Sequence, residues 1–202
     1  MSMVDTLHKR VHGALVFDRR RDRLGRALLR QLAPTSHVLD IGCGSGEIGA
    51  DLVAAGHRVV GAETRPRDDC AIEVVPFDGR TLPFADDSFD WAVIVDVLHH
   101  AADPTRVVAE AKRVTTQGVV IKDHYAENGW QRGVLGVMDW VGNRQFGVGR
   151  DGAYLSRADW TALWADVGLA PVDLDESLDL YPAVVKPLFE RGLHFVARLE
   201  PT

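Results

Sequence analysis

The sequence predicts a doubly wound α/β domain, in which helices cover both faces of a largely parallel sheet. From residue 37 onward, short apolar segments with strand-like composition alternate with segments that have helical spacing. The first of these strands runs directly into glycines, and the helix after it leads to a second strand, which is the order of a β-α-β unit. Such alternation is typical of parallel sheets with right-handed crossovers.

The N-terminal segment, residues 1–33, has the spacing of amphipathic helix. Apolar residues recur mostly three or four positions apart between Val4 and Leu32, among many arginines. We expect one interrupted helix or two separate helices here, with the break at Gly13 and Asp18.

Seven later segments have the composition of strands, and three have the spacing and end signals of helices. Gly56 and Gly168 each follow a helical segment as left-handed cap residues, and Ser156 precedes one as an N-cap. Trp160 and Trp164, four residues apart on the last of these helices, are predicted to belong to the core. The predicted strands are His37–Ile41, Arg58–Ala62, Glu73–Phe77, Trp91–Val95, Val119–Lys122, Ala170–Leu174 and His194–Leu199, and the predicted helices are Glu47–Ala55, Pro104–Val114 and Arg157–Val167.

The composition is that of an ordinary soluble domain. Of 202 residues, 46% are hydrophobic and 26% charged, which disfavours a disordered, collagenous or coiled-coil protein. No apolar run approaches the ~18 residues of a membrane span, and the first 32 residues are charged throughout, unlike a secretory signal. We therefore expect a single domain over residues 1–202 and a cytoplasmic location.

Charge and cysteine content disfavour further classes of protein. The 23 Lys+Arg and 29 Asp+Glu give a net charge of −6, which argues against a nucleic-acid binder. The arginines between residues 19 and 30 are expected to form a solvated helix face. Cys43 and Cys70 belong to no CxxC pair or Cys/His ladder, so neither a disulfide framework nor a structural zinc site is expected.

Two glycine motifs overlap after the first predicted strand. Asp40 to Gly46 spell DxGxGxG, whereas Gly44 to Gly49 satisfy the GxGxxG pattern of dinucleotide-binding loops. A dinucleotide would place its anionic pyrophosphate on this loop and on the helix N-terminus, where Asp40 and Glu47 add negative charge. Two carboxylates instead suit a ligand with an ammonium or sulfonium group, such as S-adenosylmethionine.

Three motifs in a fixed order give the sequence a family resemblance. They are VLDIGCGSGEIG around the glycine loop, VVGAE at the end of the second strand, and LPFADDSFDWAVIVDVLHH, which covers a loop, the fourth strand and the following turn. In these motifs, over roughly His37 to Asp123, the chain resembles the class I S-adenosylmethionine-dependent methyltransferases of the small-molecule type. The resemblance implies a Rossmann-like seven-stranded sheet with an antiparallel last strand, S-adenosylmethionine as cofactor, and methyl transfer to a small-molecule acceptor.

The resemblance also implies which residues bind the cofactor. Asp40 would interact with the methionine amino group, and Glu63 would accept hydrogen bonds from both ribose hydroxyls. Asp78 would bond the adenine amine, and the alternative for it, at nearly even odds, is an Asp that starts a turn. The other residues implied in cofactor binding are Gly42, Cys43, Gly44, Gly46, Thr64, Gly79, Asp96 and Val97.

The sequence departs from the family pattern after the second strand. Only 73 − 63 = 10 positions separate Glu63 from Glu73, and they include Pro66, whereas the family has a full helix there. Without this helix, another part of the protein must cover part of one sheet face and form one wall of the adenine pocket. We expect the N-terminal helix or a second subunit to do so, which makes a homodimer one predicted state.

Three histidines are candidate general bases. His99 and His100 follow the fourth predicted strand and His124 follows the fifth, at the strand ends where open α/β sheets bind ligands. If the acceptor is a hydroxyl, one of them would take its proton; otherwise one of the first two caps a helix and the other is half buried. His99 and His100, together with Asp96 and Asp103, are residue types that bind metal ions. Their spacing along a strand and turn does not place them on one face, so no metal is expected.

The segment 126–156 differs in pattern from the rest of the chain and is rich in glycine. Substrate loops in this topology lie at the strand ends, so one interpretation is an acceptor-site lid, in which Asp139 and Asn143 would be polar anchors. The other interpretation, held equal, is a small satellite core under a long loop. Trp130, Met138 and Trp140 are the large apolar residues that would line the lid or fill the satellite core.

Two rival functions remain beside methyl transfer. An NAD(P)-dependent oxidoreductase could use Gly44, Gly46, Gly49 and Glu63. Asp40 opposes a pyrophosphate, however, and no Tyr-x-x-x-Lys pair follows the fourth strand. A protein that binds S-adenosylmethionine without catalysis is the second rival. For the methyltransferase we expect a small-molecule acceptor as partner, and neither nucleic acid nor a membrane span.

Overall fold

The computed structural model describes residues 18–143, 153–190 and 192–202, and a seven-stranded sheet lies at the centre of this described part. The strands are β1 (His37–Ile41), β2 (Arg58–Glu63), β3 (Val74–Pro76), β4 (Phe89–Val95), β5 (Thr115–His124), β6 (Leu169–Asp175) and β7 (His194–Pro201). The helices are α1 (18–31), α2 (Glu47–Ala54), α3 (Pro104–Arg113), α4 (Gly129–Asn143), α5 (Arg157–Asp166) and α6 (Lys186–Phe189), with a 3-10 turn at Leu98–His100.

The topology confirms the predicted fold class. The strand order is β3-β2-β1-β4-β5-β7-β6, and the first five strands run parallel. β7 inserts between β5 and β6 and runs antiparallel to both, as the resemblance implied for the last strand. The carboxyl ends of the parallel strands therefore meet at one edge of the sheet, which is where such folds bind ligands.

One face of the sheet packs against α3 and α5. Leu39 and Ile121 of the sheet are fully buried on this face, together with Val108 of α3. Trp160 and Trp164 of α5 are 1% and 3% exposed within the same core. The prediction that these two tryptophans belong to the core is therefore confirmed.

The other face of the sheet packs against α1 and α2. Leu24 and Leu28 of α1 contact the central strands together with Leu52 of α2, and all three side chains are buried. The described helix is continuous from its first residue, Asp18, so no break occurs after that residue. Gly13, the other predicted break, lies outside the described residues.

The arginines of α1 form ion pairs with acidic residues on other elements. Exposed pairs of this kind contribute about 0–1 kcal/mol each to the free energy of unfolding. Their main consequence is that several of these guanidinium groups already have a partner within the chain. The predicted solvated face is thus in part a set of contacts between α1 and neighbouring segments. The pairs include Arg19–Asp179 at 2.6 Å, Arg21–Asp51 at 2.6 Å and Arg30–Asp175 at 3.1 Å.

The connection from β2 to β3 contains no helix, as predicted, and Ile72 covers the space beside it. A Cβ on Gly49 of α2 would lie 2.5 Å from Cδ1 of Ile72, and a Cβ on Gly61 of β2 would lie 3.2 Å from the same atom. Ile72 can approach this closely only because both positions lack a side chain. The connection therefore covers this part of the sheet itself, where we expected the N-terminal helix or a second subunit, and α1 lies over the central strands instead.

Two elements differ from the sequence-based expectation. β5 extends to His124, so Asp123 and His124 belong to the strand, and pairing of His124 with His194 of β7 keeps this end in register. The segment 126–156 contains α4, whose four glycines hid its helical character because glycine lowers helix propensity by ~1 kcal/mol per residue. Among the described residues no helix is both long and apolar enough to cross a membrane.

Candidate functional site

The loop between β1 and α2 is a tight turn of left-handed residues. Gly42, Gly44 and Gly46 have φ angles of 73°, 55° and 74°, which glycine adopts without steric cost. The Gly42 N–H donates to the carbonyl of Ala62 at 2.7 Å, which ties the loop to β2. A Cβ on Gly42 would lie 2.4 Å from Cγ2 of Val97, whereas a Cβ on Gly44 would meet no atom of the described chain within 4 Å. The loop is therefore packed on one side and open beside Gly44.

Asp40, two residues before this loop, is a buried carboxyl with an unpaired oxygen. The residue is 2% exposed, and its Oδ2 has no hydrogen-bond partner among the described residues. Burial, and then the charge of Glu63, raise the pKa of Asp40 to about 7. An unpaired buried carboxyl is costly, and a ligand ammonium at this position would offset that cost.

Glu63, the last residue of β2, lies against the same loop. Its Oε2 accepts the Gly44 N–H at 3.0 Å, and its Oε1 accepts the Thr64 N–H at 2.7 Å. The Thr64 hydroxyl donates to Oε1 as well, at 3.1 Å. The carboxylate is thereby held in one orientation, with both oxygens at the strand edge beside the open side of the loop.

Asp78 and Gly79 form the next turn along this edge. Asp78 is exposed, and its Oδ1 accepts the N–H groups of Arg80 at 2.8 Å and Thr81 at 2.7 Å. This is the turn-starting role that was weighed against adenine binding, so the predicted adenine contact stays a prediction. Gly79 has a φ of 78°, and its Cβ position lies 3.3 Å from Cγ2 of Thr64, which brings the two loops into contact.

Cys43 points away from the open side of the glycine loop. A Cβ on Gly61 would lie 2.6 Å from its Sγ, so the thiol packs on β2. Burial, and then the charge of Asp40, raise the pKa of the Cys43 thiol. Cys43 and Cys70 are both free thiols. Any contact of Cys43 with a ligand would therefore come from its backbone.

A polar cluster at the carboxyl ends of β4 and β5 consists of Asp96, His99, Asp123 and His124, and all of these except Asp96 are buried. In it, His99 Nδ1 lies 2.7 Å from Asp123 Oδ1, and the Leu98 N–H donates to the other Asp123 oxygen at 3.2 Å. His99 is 2% exposed and Asp123 is fully buried. Burial alone would lower the pKa of His99, but the Asp123 carboxylate outweighs it and raises that pKa to about 10. The same pairing holds the pKa of Asp123 below its ordinary value against the effect of burial.

His124 occupies the interior of this cluster. Its Nδ1 lies 3.2 Å from Asp123 Oδ1 and 3.6 Å from Asp96 Oδ1, and its carbonyl accepts the Trp160 Nε1–H at 2.9 Å. Burial, and then the charge of Lys122, lower the pKa of His124. At 4% exposure this imidazole contacts the chain on several sides.

Asp96 joins the cluster to α1. The residue has a φ of 56°, and one carboxylate oxygen contacts the ammonium of Lys122 while the other lies 2.5 Å from Nη2 of Arg20. Burial would raise the pKa of Asp96, but the charges of Lys122 and Arg20 hold it well below its ordinary value. Both carboxylate oxygens of Asp96 already contact cations of the chain. If Asp96 contacts the cofactor, as predicted, it would therefore do so through its backbone atoms.

α4 brings one of its predicted polar anchors to this cluster. Asp139 Oδ2 lies 3.4 Å from His99 Nε2 and 4.0 Å from His100 Nε2, and it accepts a hydrogen bond from the Tyr154 hydroxyl. The Tyr154 ring stacks on His99 with ring centroids 5.4 Å apart. The other predicted anchor, Asn143, ends the helix, and its side chain lies outside the described residues.

The apolar side of α4 matches the satellite-core interpretation in part. Met138 packs with Leu135, Ala126 and Leu193 in a small separate cluster. Trp130 and Trp140 are instead 58% and 45% exposed. Segment 126–156 therefore combines a small core with a helix that carries two exposed tryptophans and brings Asp139 to the polar cluster.

Known proteins match both the sequence and the fold. Residues 39–121 match a protein family described as a methyltransferase domain. A methyltransferase of Haloferax volcanii, solved with the Trm112 methyltransferase activator, aligns with a TM-score of 0.68 at 22% identity, over 96% of this chain and 94% of that chain. Residues 39–121 are therefore similar in sequence to methyltransferase domains, and the fold is that of solved methyltransferases.

Two further matches show the range of proteins to which the chain is similar. A methyltransferase of Mycobacterium avium is 37% identical over 120 residues, which are 54% of this chain and 47% of that protein. The chain thus spans half or less of the length of such curated relatives. The 1,6-didemethyltoxoflavin-N1-methyltransferase of Burkholderia thailandensis, solved with 1,6-didemethyltoxoflavin and S-adenosylhomocysteine, aligns with a TM-score of 0.63 at 17% identity, over 98% of this chain and 86% of that chain.

The residues around the glycine loop fit S-adenosylmethionine, the cofactor of the methyltransferases that this chain resembles. The unpaired buried carboxyl of Asp40 suits the cofactor's ammonium, the space beside Gly44 is open, and Glu63 presents its carboxylate next to that space. The negative charge of this cradle is the property that disfavoured a pyrophosphate, and the family match removes the support for an NAD(P)-dependent oxidoreductase.

Sequence reasoning missed three residues that belong to the polar cluster or contact it. Asp123 directly precedes a candidate base in IKDHY, and an acid at a strand end beside a histidine was a usable signal. Arg20 and Tyr154 carried no such signal, because Arg20 is 76 residues from its partner Asp96 in the chain and Tyr154 lies in a segment without a clear pattern. The three predicted bases do come together, since the ring centroids of His99 and His124 are 5.0 Å apart and those of His99 and His100 are 4.1 Å apart.

Proposed function

We propose that this protein transfers a methyl group from S-adenosylmethionine to a small-molecule acceptor that binds beside the polar cluster at the strand ends. The observation that carries the proposal is the contact between Val97 and Gly42. Because Val97 stands two residues before His99, this contact puts the cluster next to the loop with the features of a cofactor cradle. Donor and acceptor sites would then share one edge of the sheet, as an in-line displacement requires.

The bound cofactor would supply an electrophilic methyl group on its sulfonium sulfur. S-adenosylhomocysteine would be the second product, and the proton of a hydroxyl acceptor would pass to a histidine beside the acceptor. Asp40 would hold the ammonium of the cofactor, and Glu63 would bind its ribose. The chain's remaining task is to align the acceptor and to exclude water.

His100 is the predicted base that we place at the acceptor, whereas His99, whose pKa of about 10 keeps it protonated at neutral pH, would position His100. Both belong to the turn that begins at Val97, and the half-buried His100 lies on the side of Asp139. His124 would act as a positioning residue, since its imidazole and carbonyl contact Asp123 and Trp160 inside the cluster. A small acceptor is supported by the Burkholderia thailandensis enzyme of the same fold, which is named for a small heterocyclic acceptor.

A thermal-shift titration with S-adenosylmethionine, S-adenosylhomocysteine, NADH and NADPH tests the cofactor. Ligand at ~100 times its dissociation constant adds about 2.7 kcal/mol to the folded state, which is a readily measured shift. We expect a shift with the two adenosyl ligands only, and we expect Glu63→Gln to lose it. Glu200→Gln, at the opposite edge of the sheet, is the matched control and should keep it. A shift with nicotinamides alone would overturn the proposal.

A panel of small acceptors with radiolabelled S-adenosylmethionine tests the transfer itself. We expect labelled product with at least one hydroxyl, amine or thiol compound. Cofactor binding without transfer to any member of a broad panel would favour the rival function, a protein that binds S-adenosylmethionine without catalysis. Light scattering of the same preparation tests the predicted homodimer.

A further inference from the structure

Three side chains from two separate elements converge beside the acceptor site. His99 and His100 lie on the 3-10 turn after β4, and Asp139 lies on α4. Asp139 Oδ2 is 3.4 Å from His99 Nε2 and 4.0 Å from His100 Nε2. One ligand atom from each of these residues lies within 4.8 Å of the other two. Two imidazoles and one carboxylate are a ligand set typical of zinc and other first-row divalent ions.

A second observation points to a ligand at this place. His99 Nε2 is buried and makes no well-aligned hydrogen bond among the described residues, and its nearest charged neighbour is Asp139 Oδ2 at 3.4 Å. Buried ring nitrogens normally have an aligned hydrogen bond, so this nitrogen, which faces a carboxylate and a second histidine, is a position at which a cation would replace a proton.

The distances agree with coordination to a common ion. For bonds of ~2.0–2.1 Å in a tetrahedral arrangement, two ligand atoms are about 3.3–3.4 Å apart. The separation of 3.4 Å between His99 and Asp139 matches this value, and the separation of 4.0 Å between His100 and Asp139 is within a small side-chain rotation of it.

The surroundings of the three ligands are those of a metal site. The Nδ1 of His99 lies 2.7 Å from Asp123, which is the carboxylate–histidine arrangement that orients a metal-binding imidazole. The Tyr154 hydroxyl bonds to Asp139 and fixes the carboxylate in turn. The other candidate group, His99 with Asp123 and His124, is less suitable because its ligand atoms are already hydrogen-bonded to one another.

We propose that His99, His100 and Asp139 bind one first-row divalent cation, of which Zn²⁺ is the representative, and that the fourth coordination position opens to the acceptor site. Three protein ligands with an open position are typical of catalytic rather than structural zinc. A cation there would favour deprotonation of an acceptor hydroxyl or thiol, and this consequence alone rests on the proposed function.

Zinc binding by the metal-depleted protein tests the site directly, with competition against a chromophoric chelator as readout. We expect one Zn²⁺ per chain, and affinity at least tenfold lower in His100→Ala and in Asp139→Asn. His37→Gln, at the opposite edge of the sheet, is the matched control and should bind Zn²⁺ like the unchanged protein. Co²⁺ in place of Zn²⁺ should give visible absorption bands that His100→Ala alters, whereas Mg²⁺ should not compete.

A milder variant keeps the test independent of folding. Tyr154→Phe removes only the hydroxyl that bonds to Asp139, and affinity for Zn²⁺ should fall several-fold while the thermal shift with S-adenosylhomocysteine stays unchanged. No zinc binding by the unchanged protein, or equal binding by the His100 and Asp139 variants, would overturn the proposal. Since the zinc assay needs neither cofactor nor acceptor, its failure is separate from failure of the proposed function.

Discussion

Val97 packs against Gly42 so closely that a single methyl group on the glycine would lie 2.4 Å from Cγ2 of the valine. The contact joins the turn after β4 to the loop after β1, and these strands are neighbours in the sheet. It leaves the opposite side of the loop, beside Gly44, open. The relationship therefore separates a packed side of the loop from a side that is free for a ligand.

Alanine at two glycines of this loop should have different effects. Gly42→Ala adds overlap with Val97 to left-handed strain, and overpacking of this kind costs about 1–3 kcal/mol. Gly44→Ala carries only the strain of ~1–2 kcal/mol but places a methyl group in the open space. We expect urea unfolding to show the larger destabilisation for Gly42→Ala, and the thermal shift with S-adenosylhomocysteine to disappear for Gly44→Ala. Full binding by Gly44→Ala would contradict the assignment of that space to the cofactor.

Asp40 predicts how stability depends on pH. Its pKa is about 7 in the folded chain against an ordinary value of 3.8, so between these values the folded state keeps a proton that the unfolded chain has released. This contribution to the stability of the ligand-free protein is complete below about pH 4 and is lost as the pH rises through 7, by an amount on the order of 4 kcal/mol. Asp40→Asn should remove that loss, which the difference between the two unfolding free energies measures. A difference that stays constant from about pH 4 to pH 8 would contradict the pKa of Asp40.

The same carboxyl predicts a pH optimum for cofactor binding. Ionised Asp40 attracts the ligand ammonium, so affinity for S-adenosylhomocysteine should rise as the pH increases towards 7. It should fall again at higher pH, when the α-amino group of the ligand loses its proton and with it the charge that Asp40 attracts. Calorimetric titration across this range checks the profile, and Asp40→Asn should lose its rising limb. A rising limb of equal size in that variant would assign it to another group.

The sequence predicted those parts of the molecule whose signals are local. The run Asp40 to Gly46 is a short motif that folds as its own backbone turn, so its place after β1 could be inferred from a dozen neighbouring residues. Glu63 was found in the same way, because it ends a strand with a clear apolar pattern. The alternation of strands and helices in the sequence likewise sufficed to predict the succession of β1 to β5 along the chain.

The parts that could not be predicted depend on contacts between distant segments. The filling of the gap beside β2 depends on Ile72 meeting two glycines of other elements, which no periodicity indicates. The approach of Asp139 to His99 requires α4 to fold back over the strand ends, and the glycines of α4 concealed that it is a helix. Polar clusters of this kind follow from tertiary packing, so their members carry no common sequence pattern.

Loss of the Asp96 charge should be far more costly than loss of an exposed carboxylate. Asp96 contacts the fully buried ammonium of Lys122 and pairs with Arg20 at 2.5 Å. Asp96→Asn would leave buried cations without their counter-ion, at a cost of about 3–5 kcal/mol. Asp179→Asn, which also removes contacts with arginines of α1 but at the surface, should cost about 0–1 kcal/mol. Urea unfolding measures both, and similar values would show that the Asp96 network contributes little.

The two exposed tryptophans of α4 should differ in their effect on turnover. Trp140 adjoins Asp139, whereas Trp130 lies ten residues earlier, about 15 Å away along the helix. Both side chains are largely exposed, so neither Trp140→Ala nor Trp130→Ala should change the unfolding free energy by more than about 1 kcal/mol. With an acceptor from the panel, we expect Trp140→Ala to lower turnover at least several-fold without changing affinity for S-adenosylhomocysteine, and Trp130→Ala to leave both unchanged. Equal losses of turnover and cofactor binding in Trp140→Ala would instead indicate that this face of α4 supports the fold, because loss of an acceptor contact would lower turnover alone.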